Sequence, residues 1–260
     1  MKAILLAAGR GSRLGRYTEA QPKCLTELGG RSLIERQIET LRGAGIDDIV
    51  LATGYRAEML QFDGIGSAHN PDWASTNMVE TLFCAEQEFT DDVIVSYADI
   101  VYEPRVIQAL VDATHDVSVV VDRQWRVYWE HRFDDPLSDA ESMKIDDAGL
   151  ITELGQPVED IDLVDAQYIG LMRFRGTGVD ALRETRRTLG TTMRPWMDKR
   201  PLQQAYMTDF LTEMILTGIS VHAIDIDGGW LEIDTESDFE SAASMWNDGS
   251  INRFFDPSAR

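Results

Sequence analysis

The segment KAILLAAGRGSRLGRYTEAQPK, residues 2–23, carries the most information in this chain. Lys2 to Leu6 reads as a short buried strand, and it runs directly into a turn built from small residues: Ala7, Ala8, Gly9 and Gly11. Such residues let backbone N–H groups approach an anion closely at the carboxyl end of a strand. Spacing excludes two familiar phosphate loops. The dinucleotide fingerprint needs a third glycine where Leu14 stands, and a Walker loop needs Gly-Lys-Ser/Thr, which the segment lacks. Arg10, Arg13, Arg16 and Lys23 fall within fourteen residues that contain a single acid, Glu19, whereas the 260-residue chain has 24 Lys+Arg against 45 Asp+Glu and a formal net charge of −21. A local excess of cations on so acidic a background points to a polyanionic ligand. The same acidity argues against nucleic acid and anionic membrane surfaces as partners.

Outward from this segment, apolar runs alternate with amphipathic stretches. Ser32 to Leu41 reads as a helix with Leu33, Ile34, Ile38 and Leu41 on one face, Ile49 to Thr53 as a strand, and Asn77 to Glu88 as a helix with Met78, Val79, Leu82 and Phe83 inward. Val93 to Ser96 is a further strand, Pro104 to Ala113 a helix with proline near its start, and Val117 to Val121 another strand. This alternation predicts an α/β fold with a mostly parallel sheet covered by helices on both faces. Residues 122–141 are rich in aromatic and charged residues without a sustained period, and they read as a functional loop, a lid-like insertion in a single domain spanning residues 1–260. Shorter strands are expected around Ser142–Ile145, Leu150–Leu154 and Gln167–Phe174. The end returns to helix, strand and helix at Tyr206–Leu216, Val221–Ile226 and Glu236–Trp246.

With 43% hydrophobic residues the chain can bury a large core. Cys24 and Cys84 are far apart and in no metal-ligand spacing, so they read as free thiols in a reducing compartment. The first apolar run stops after about six residues, short of the core of a signal peptide, and no run approaches the roughly 18 to 20 apolar residues of a membrane span. A cytoplasmic protein is expected.

Two carboxylates stand at strand ends, where ligands of open α/β sheets gather: Asp99 after Val93–Ser96, and Asp234 in Leu231-Glu232-Ile233-Asp234. Magnesium takes a few carboxylates together with phosphate oxygens and water, so two aspartates and a triphosphate would suffice.

The pattern L-A-A-G-x-G-x-R, followed by T-x-x-x-P-K at Thr18–Lys23, resembles the signature of the sugar-nucleotidyltransferase superfamily, with its Rossmann-like sheet. The resemblance extends over nearly the whole chain. AGIDDIVLATGY (44–55), NPDWASTNM (70–78), SYADIVY (96–102), DPLSDAESMKI (135–145), QYIGLMRF (167–174) and EIDTESDFESA (232–242) are similar to the branch containing phosphocholine and 2-aminoethylphosphonate cytidylyltransferases. The resemblance implies that Arg13 and Lys23 hold the triphosphate of CTP as catalytic cations and that Asp99 and Asp234 hold Mg2+; the spacing of two along the strand separately allows Glu232 to support Asp234. It further implies that Leu6, Ala7, Ala8, Gly9 and Gly11 contact nucleotide, that Gly54 and Tyr55 lie beside cytosine, and that Ser75, Thr76 and Asn77 help hold base or ribose.

The acceptor end is read from residue chemistry. Trp125, Tyr128 and Trp129 stand with Asp122 and Glu130, and aromatic faces with carboxylates suit an ammonium group. Arg132 or Arg126 is then available for the acceptor's phosphate or phosphonate. Glu141 and Asp209 are further acids for an amine, Trp230 is a candidate wall, and the resemblance adds Gln167 and Tyr168. A phosphate dianion is already a nucleophile near neutral pH, so no general base is required, and the scattered His69, His115, His131 and His222 fit structural roles. The expected reaction is transfer of CMP from CTP to a small phosphate or phosphonate of phosphocholine or 2-aminoethylphosphonate type, with release of pyrophosphate. A sugar-1-phosphate nucleotidyltransferase and a non-catalytic nucleotide-binding relative are the alternatives. The C-terminal amphipathic stretch with Phe239, Ala242, Ala243 and Trp246 serves a homodimer as readily as a core.

Overall fold

The computed structural model describes residues 1–259, the Asp198 side chain apart. In chain order its elements are β1 (Lys2–Ala7), β2 (Glu27–Leu28), β3 (Arg31–Ser32), α1 (Leu33–Gly43), β4 (Ile49–Thr53), β5 (Gly66–His69), α2 (Met78–Cys84), β6 (Asp92–Tyr97) and β7 (Ile100–Tyr102). There follow α3 (Pro104–Asp112), β8 (Val117–Asp122), α4 (Trp125–Arg132), β9 (Glu141–Ile145), β10 (Ile151–Pro157) and β11 (Gln167–Arg175). The chain ends with α5 (Thr177–Leu189), α6 (Met207–Leu216), β12 (His222–Ile226), β13 (Trp230–Glu232) and α7 (Glu236–Asp248).

Seven strands form the central sheet in the order β12-β8-β11-β6-β1-β4-β5. All pairings are parallel except those of β11, which runs antiparallel to both β6 and β8. Strands covered on both faces should be apolar throughout. Accordingly Ala3, Ile4 and Leu5 of β1 are wholly buried, as is all of β4 from Ile49 to Thr53. Helices cover both faces, α1 beside α3 in one group and α2 with α5 and α6 in the other. Local chemistry fixes their starts. Ser32 and Glu35 form a reciprocal capping box on α1, and the Asn77 side chain accepts from the Met78 N–H at the start of α2.

Because β6, β1 and β4 are parallel neighbours, Asp99, Ala8 and Gly54 all lie just beyond the same edge of the sheet. Asp234 reaches that edge by another route: β13 pairs antiparallel with β7, and the Ile233 N–H donates to the Asp99 carbonyl at 2.9 Å.

Residues 122–141 correct the loop reading. Trp125–Arg132 is helix α4, and Trp125, Tyr128 and Trp129 are core residues. Their spacing, together with Arg132, is a helical stripe of i, i+3, i+4 and i+7, with Arg126, Val127 and Glu130 outward. Helix α5 and edge strand β5 also lie where no element was expected. The apolar face of α7 packs within its own chain: the Phe239 ring is 4.4 Å from that of Tyr17, and Arg36 stacks over Trp246 at 4.4 Å. Among the described residues no helix is long and apolar enough to cross a membrane.

Candidate active site

The turn after β1 is held open by glycine geometry. Gly11 has φ +70°, a left-handed conformation, and the Lys23 stem crosses it so closely that a Cβ there would stand 2.6 Å from the Lys23 Cβ. The buried Thr18 hydroxyl donates to the Gly11 carbonyl at 2.9 Å and closes the loop. Gly54 brings the end of β4 against this turn. A Cβ at Gly54 would meet the Ala8 carbonyl oxygen at 2.7 Å and the Trp73 Cβ at 2.5 Å, and the Tyr55 N–H donates to that same carbonyl at 2.9 Å.

Four charges converge beyond the sheet edge. Lys23 Nζ lies 2.7 Å from Asp99 Oδ2 and 2.6 Å from Asp234 Oδ1, and Arg13 Nη1 lies 2.7 Å from Asp234 Oδ2. Burial alone would lower the Lys23 ammonium, but Asp99 and Asp234 outweigh it and hold the group above its ordinary range. Arg13 is 69% exposed and therefore free to turn toward a ligand. Asp99 Oδ1 is buried without any hydrogen-bond partner, which leaves one carboxylate oxygen for a cation. Among the described residues no set of three or more potential ligands is gathered to cage a metal. The Asp99–Asp234 pair fits an ion that takes its remaining ligands from phosphate and water, the habit of magnesium.

The cleft beside this cluster is lined by Leu6, Ala7, Ala8, Gly9, Lys23, Thr76, Asn77 and Asp99, and by Trp73, which sequence reasoning missed. Tyr55 stands edge-on to Trp73 with ring centroids 5.2 Å apart, while its hydroxyl donates to the Glu19 carbonyl at 3.0 Å. Ser75 stays outside the lining, and its hydroxyl donates to the Asp72 carbonyl at 3.2 Å. The Asn77 N–H donates to the Gln203 carbonyl at 2.9 Å, tying the strap before α6 to this wall.

A second pocket adjoins the first, and Met78 and Tyr97 line both. It receives Trp129, Glu141, Gln167, Tyr168 and Trp230 from the candidate acceptor residues, together with Arg13, Glu232 and the unforeseen Asp139, Tyr206 and Thr208. Burial raises the Asp139 carboxyl; for Glu141, burial and then Asp139 and Asp209 push the group up to about 7. Neither carboxylate forms an ion pair with a described residue. Gln167 anchors this wall, its amide donating to the Glu141 carbonyl at 2.7 Å.

Four candidate acceptor residues lie elsewhere. Asp122 is buried behind the pocket, accepting from Gln124 N, Gly228 N and Trp230 Nε1 at 2.8 to 2.9 Å, so it fixes the Trp230 ring. Trp125 is buried in the core under α4. Asp209 accepts from Arg200 at 2.5 Å and from the Tyr206 N–H at 2.9 Å, capping α6. Arg132 has a side chain only 3% exposed, engaged by Glu232 and Asp238.

Residues 3–166 match the MobA-like NTP transferase domain. The chain is 38% identical over 251 residues to the CTP:phosphoglutamine cytidylyltransferase of Campylobacter jejuni, covering 92% of this chain and 98% of that protein. Among the solved structures that share the fold are two nucleotidyltransferases. The inositol-1-phosphate CTP transferase from T. maritima superposes with a TM-score of 0.70 at 19% identity, covering 95% of this chain and 96% of that one. The CTP:phosphocholine cytidylyltransferase from Streptococcus pneumoniae gives 0.68 at 20% identity, covering 94% and 98%. By its phosphate turn, its converging charges and a relative matched along almost its full length, the chain belongs to the MobA-like NTP transferase family and is a nucleotidyltransferase enzyme.

Proposed function

We propose that this enzyme is a cytidylyltransferase that transfers CMP from CTP to a small phosphate- or phosphonate-bearing amine and releases pyrophosphate. The observation that carries the reading is the pair Asp139 and Glu141, the first exposed at the pocket mouth and the second half-buried, neither in a salt bridge with a described residue, both lining a pocket walled by aromatic rings that adjoins the nucleotide cleft. Drawing a carboxylate out of water is costly unless a cation meets it, and an ammonium between Trp129, Tyr168 and Tyr206 would do so by charge and by the ring faces. The relation to a CTP enzyme along nearly the whole chain supports cytidine as the base. Phosphocholine, in the name of the S. pneumoniae enzyme, carries a cationic nitrogen, and glutamine carries an ammonium beside a carboxylate.

An acceptor oxygen attacks the α-phosphorus in line, the new P–O bond forms, and the bond to the pyrophosphate oxygen breaks with its electron pair. A phosphate dianion supplies its own lone pair, so no residue has to remove a proton. Arg13 and Lys23 bind the triphosphate and neutralise charge on the departing pyrophosphate, and the turn from Ala7 to Gly11 offers backbone N–H groups. Asp99 and Asp234 would hold Mg2+, which when bound supplies Lewis-acid charge neutralisation at the phosphates. Lys23 keeps the two aspartates together, since without a cation between them they repel. The two free cysteines and the acidic surface support a cytoplasmic setting.

The sugar-1-phosphate alternative would use hydrogen-bonding side chains such as Gln167 and Thr208, which also line this pocket, so the acceptor screen decides between them. The test is pyrophosphate release with Mg2+ and each of the four NTPs, offered phosphocholine, 2-aminoethylphosphonate, phosphorylated glutamine and glucose-1-phosphate. Turnover is expected with CTP and an amine-bearing acceptor. Preference for the sugar phosphate would overturn the acceptor assignment, and tight nucleotide binding without turnover on any acceptor would make the chain a nucleotide-binding protein.

A further inference from the structure

We infer that Arg132 is a positioning residue for Asp234, acting through Asp238 and Glu232 without touching the acceptor; this rests on Asp234 serving the nucleotide and its metal. Arg132 ends helix α4 on the buried face. Its Nε and Nη2 donate to the two oxygens of Asp238 at 3.0 and 3.2 Å, and its Nη1 donates to Glu232 at 2.6 Å. A forked guanidinium makes such a double bond with fixed geometry, which an ammonium cannot copy. Asp238 in turn accepts from the Asp234 N–H at 3.1 Å and from the Thr235 N–H at 2.8 Å, while the Thr235 hydroxyl accepts from Asp238 N at 3.1 Å.

Arg132 therefore grips the chain on both sides of Asp234. Glu232 fixes the strand two residues before it, and Asp238 fixes its own peptide N–H and the start of α7. The arginine also balances charge. One guanidinium faces the half-buried Glu232 and the buried Asp238 beside the Asp99–Asp234 pair, adding a third cation to the turn that Lys23 and Arg13 also contact through Asp234. Burial works to raise the Asp238 carboxyl, yet Arg132 and Thr235 hold it below its ordinary range, as expected of a carboxylate fully engaged by donors. The rings of Trp129 and Phe133 stand 5.2 and 4.9 Å from the guanidinium, and Trp129 lines the neighbouring pocket while Arg132 does not.

The test compares wild type with Arg132→Lys, which keeps the charge and loses the fork, and with Asp238→Asn, which keeps the shape and loses the charge. Mn2+ affinity is measured by electron paramagnetic resonance with a non-hydrolysable CTP analogue, beside KM values for CTP and acceptor and the Tm. Both variants are expected to weaken Mn2+ binding at least fivefold and to raise KM for CTP, with the acceptor KM within twofold of wild type. A lowered Tm with unchanged Mn2+ affinity and KM for CTP reduces Arg132 to a packing residue and overturns the inference. A rise in acceptor KM alone overturns it in favour of direct acceptor contact. Failure of the wild type itself to bind Mn2+ with nucleotide overturns the underlying metal reading, and is distinguishable because it precedes any substitution.

Discussion

The stem of Lys23 lies against Gly11 with no room for a methyl group between them, so the glycine turn and the bridging lysine form one unit. Gly11→Ala would force a left-handed backbone costing about 1–2 kcal/mol and push Lys23 away from Asp99 and Asp234. Its expected effect is a loss of kcat/KM larger than the loss of stability accounts for, read from steady-state kinetics beside thermal melts. Wild-type turnover in a folded Gly11→Ala enzyme would show that the turn tolerates a displaced lysine.

Glu141 links acceptor use to pH. With its carboxyl pushed up to about 7 by burial, then Asp139 and Asp209, it ionises only as pH rises through that value. The proposed ammonium-bearing acceptor would bind the ionised form, so its KM is expected to fall between pH 6.5 and 8. Stability runs the opposite way. The folded carboxyl holds its proton to about 7, whereas the ordinary value is 4.5, so stability is lost as pH rises from 4.5 through 7. Glu141→Gln should accordingly melt higher than wild type at pH 8 while using a cationic acceptor poorly, with a flattened KM profile. A steep profile surviving in Glu141→Gln would remove this carboxylate from acceptor binding.

Trp125 and Trp129 separate packing from recognition. Both are almost fully buried, their rings 5.8 Å apart, but only Trp129 lines the acceptor pocket. Either alanine substitution is expected to cost about 3–5 kcal/mol of stability. Acceptor KM should rise for Trp129→Ala alone, with KM for CTP unchanged in both. Equal rises would mean that α4 shapes the pocket as a block.

Much of the parallel sheet was legible in the sequence, because strands buried on both faces read as unbroken apolar runs and β4 matches its expected bounds at Ile49–Thr53. The basic turn and the two strand-end aspartates were legible for a related reason: each is chemically out of place locally, cations in an acidic chain and carboxylates closing apolar runs. Helix α4 was hidden because the fourth member of its buried stripe, Arg132, carries a charge whose partners Glu232 and Asp238 lie 100 and 106 residues away. Without them its tryptophans read as a ligand cage. Trp73 sits within a segment already singled out, but only the close approach of Gly54 makes it a cleft wall. Asp139 resembles any solvated acid, and only the fold sets it at a pocket lined also by Glu141 of β9 and Gln167 and Tyr168 of β11.

Lys23 and Asp99 are proposed to grip the same nucleotide. This is tested most directly by kcat/KM for CTP, with the best acceptor, in Lys23→Ala and Asp99→Asn enzymes that still melt cooperatively. Each is expected to lose at least roughly 100-fold, about 2.7 kcal/mol of transition-state stabilisation. Values within twofold of wild type in both would mean that neither residue holds the nucleotide.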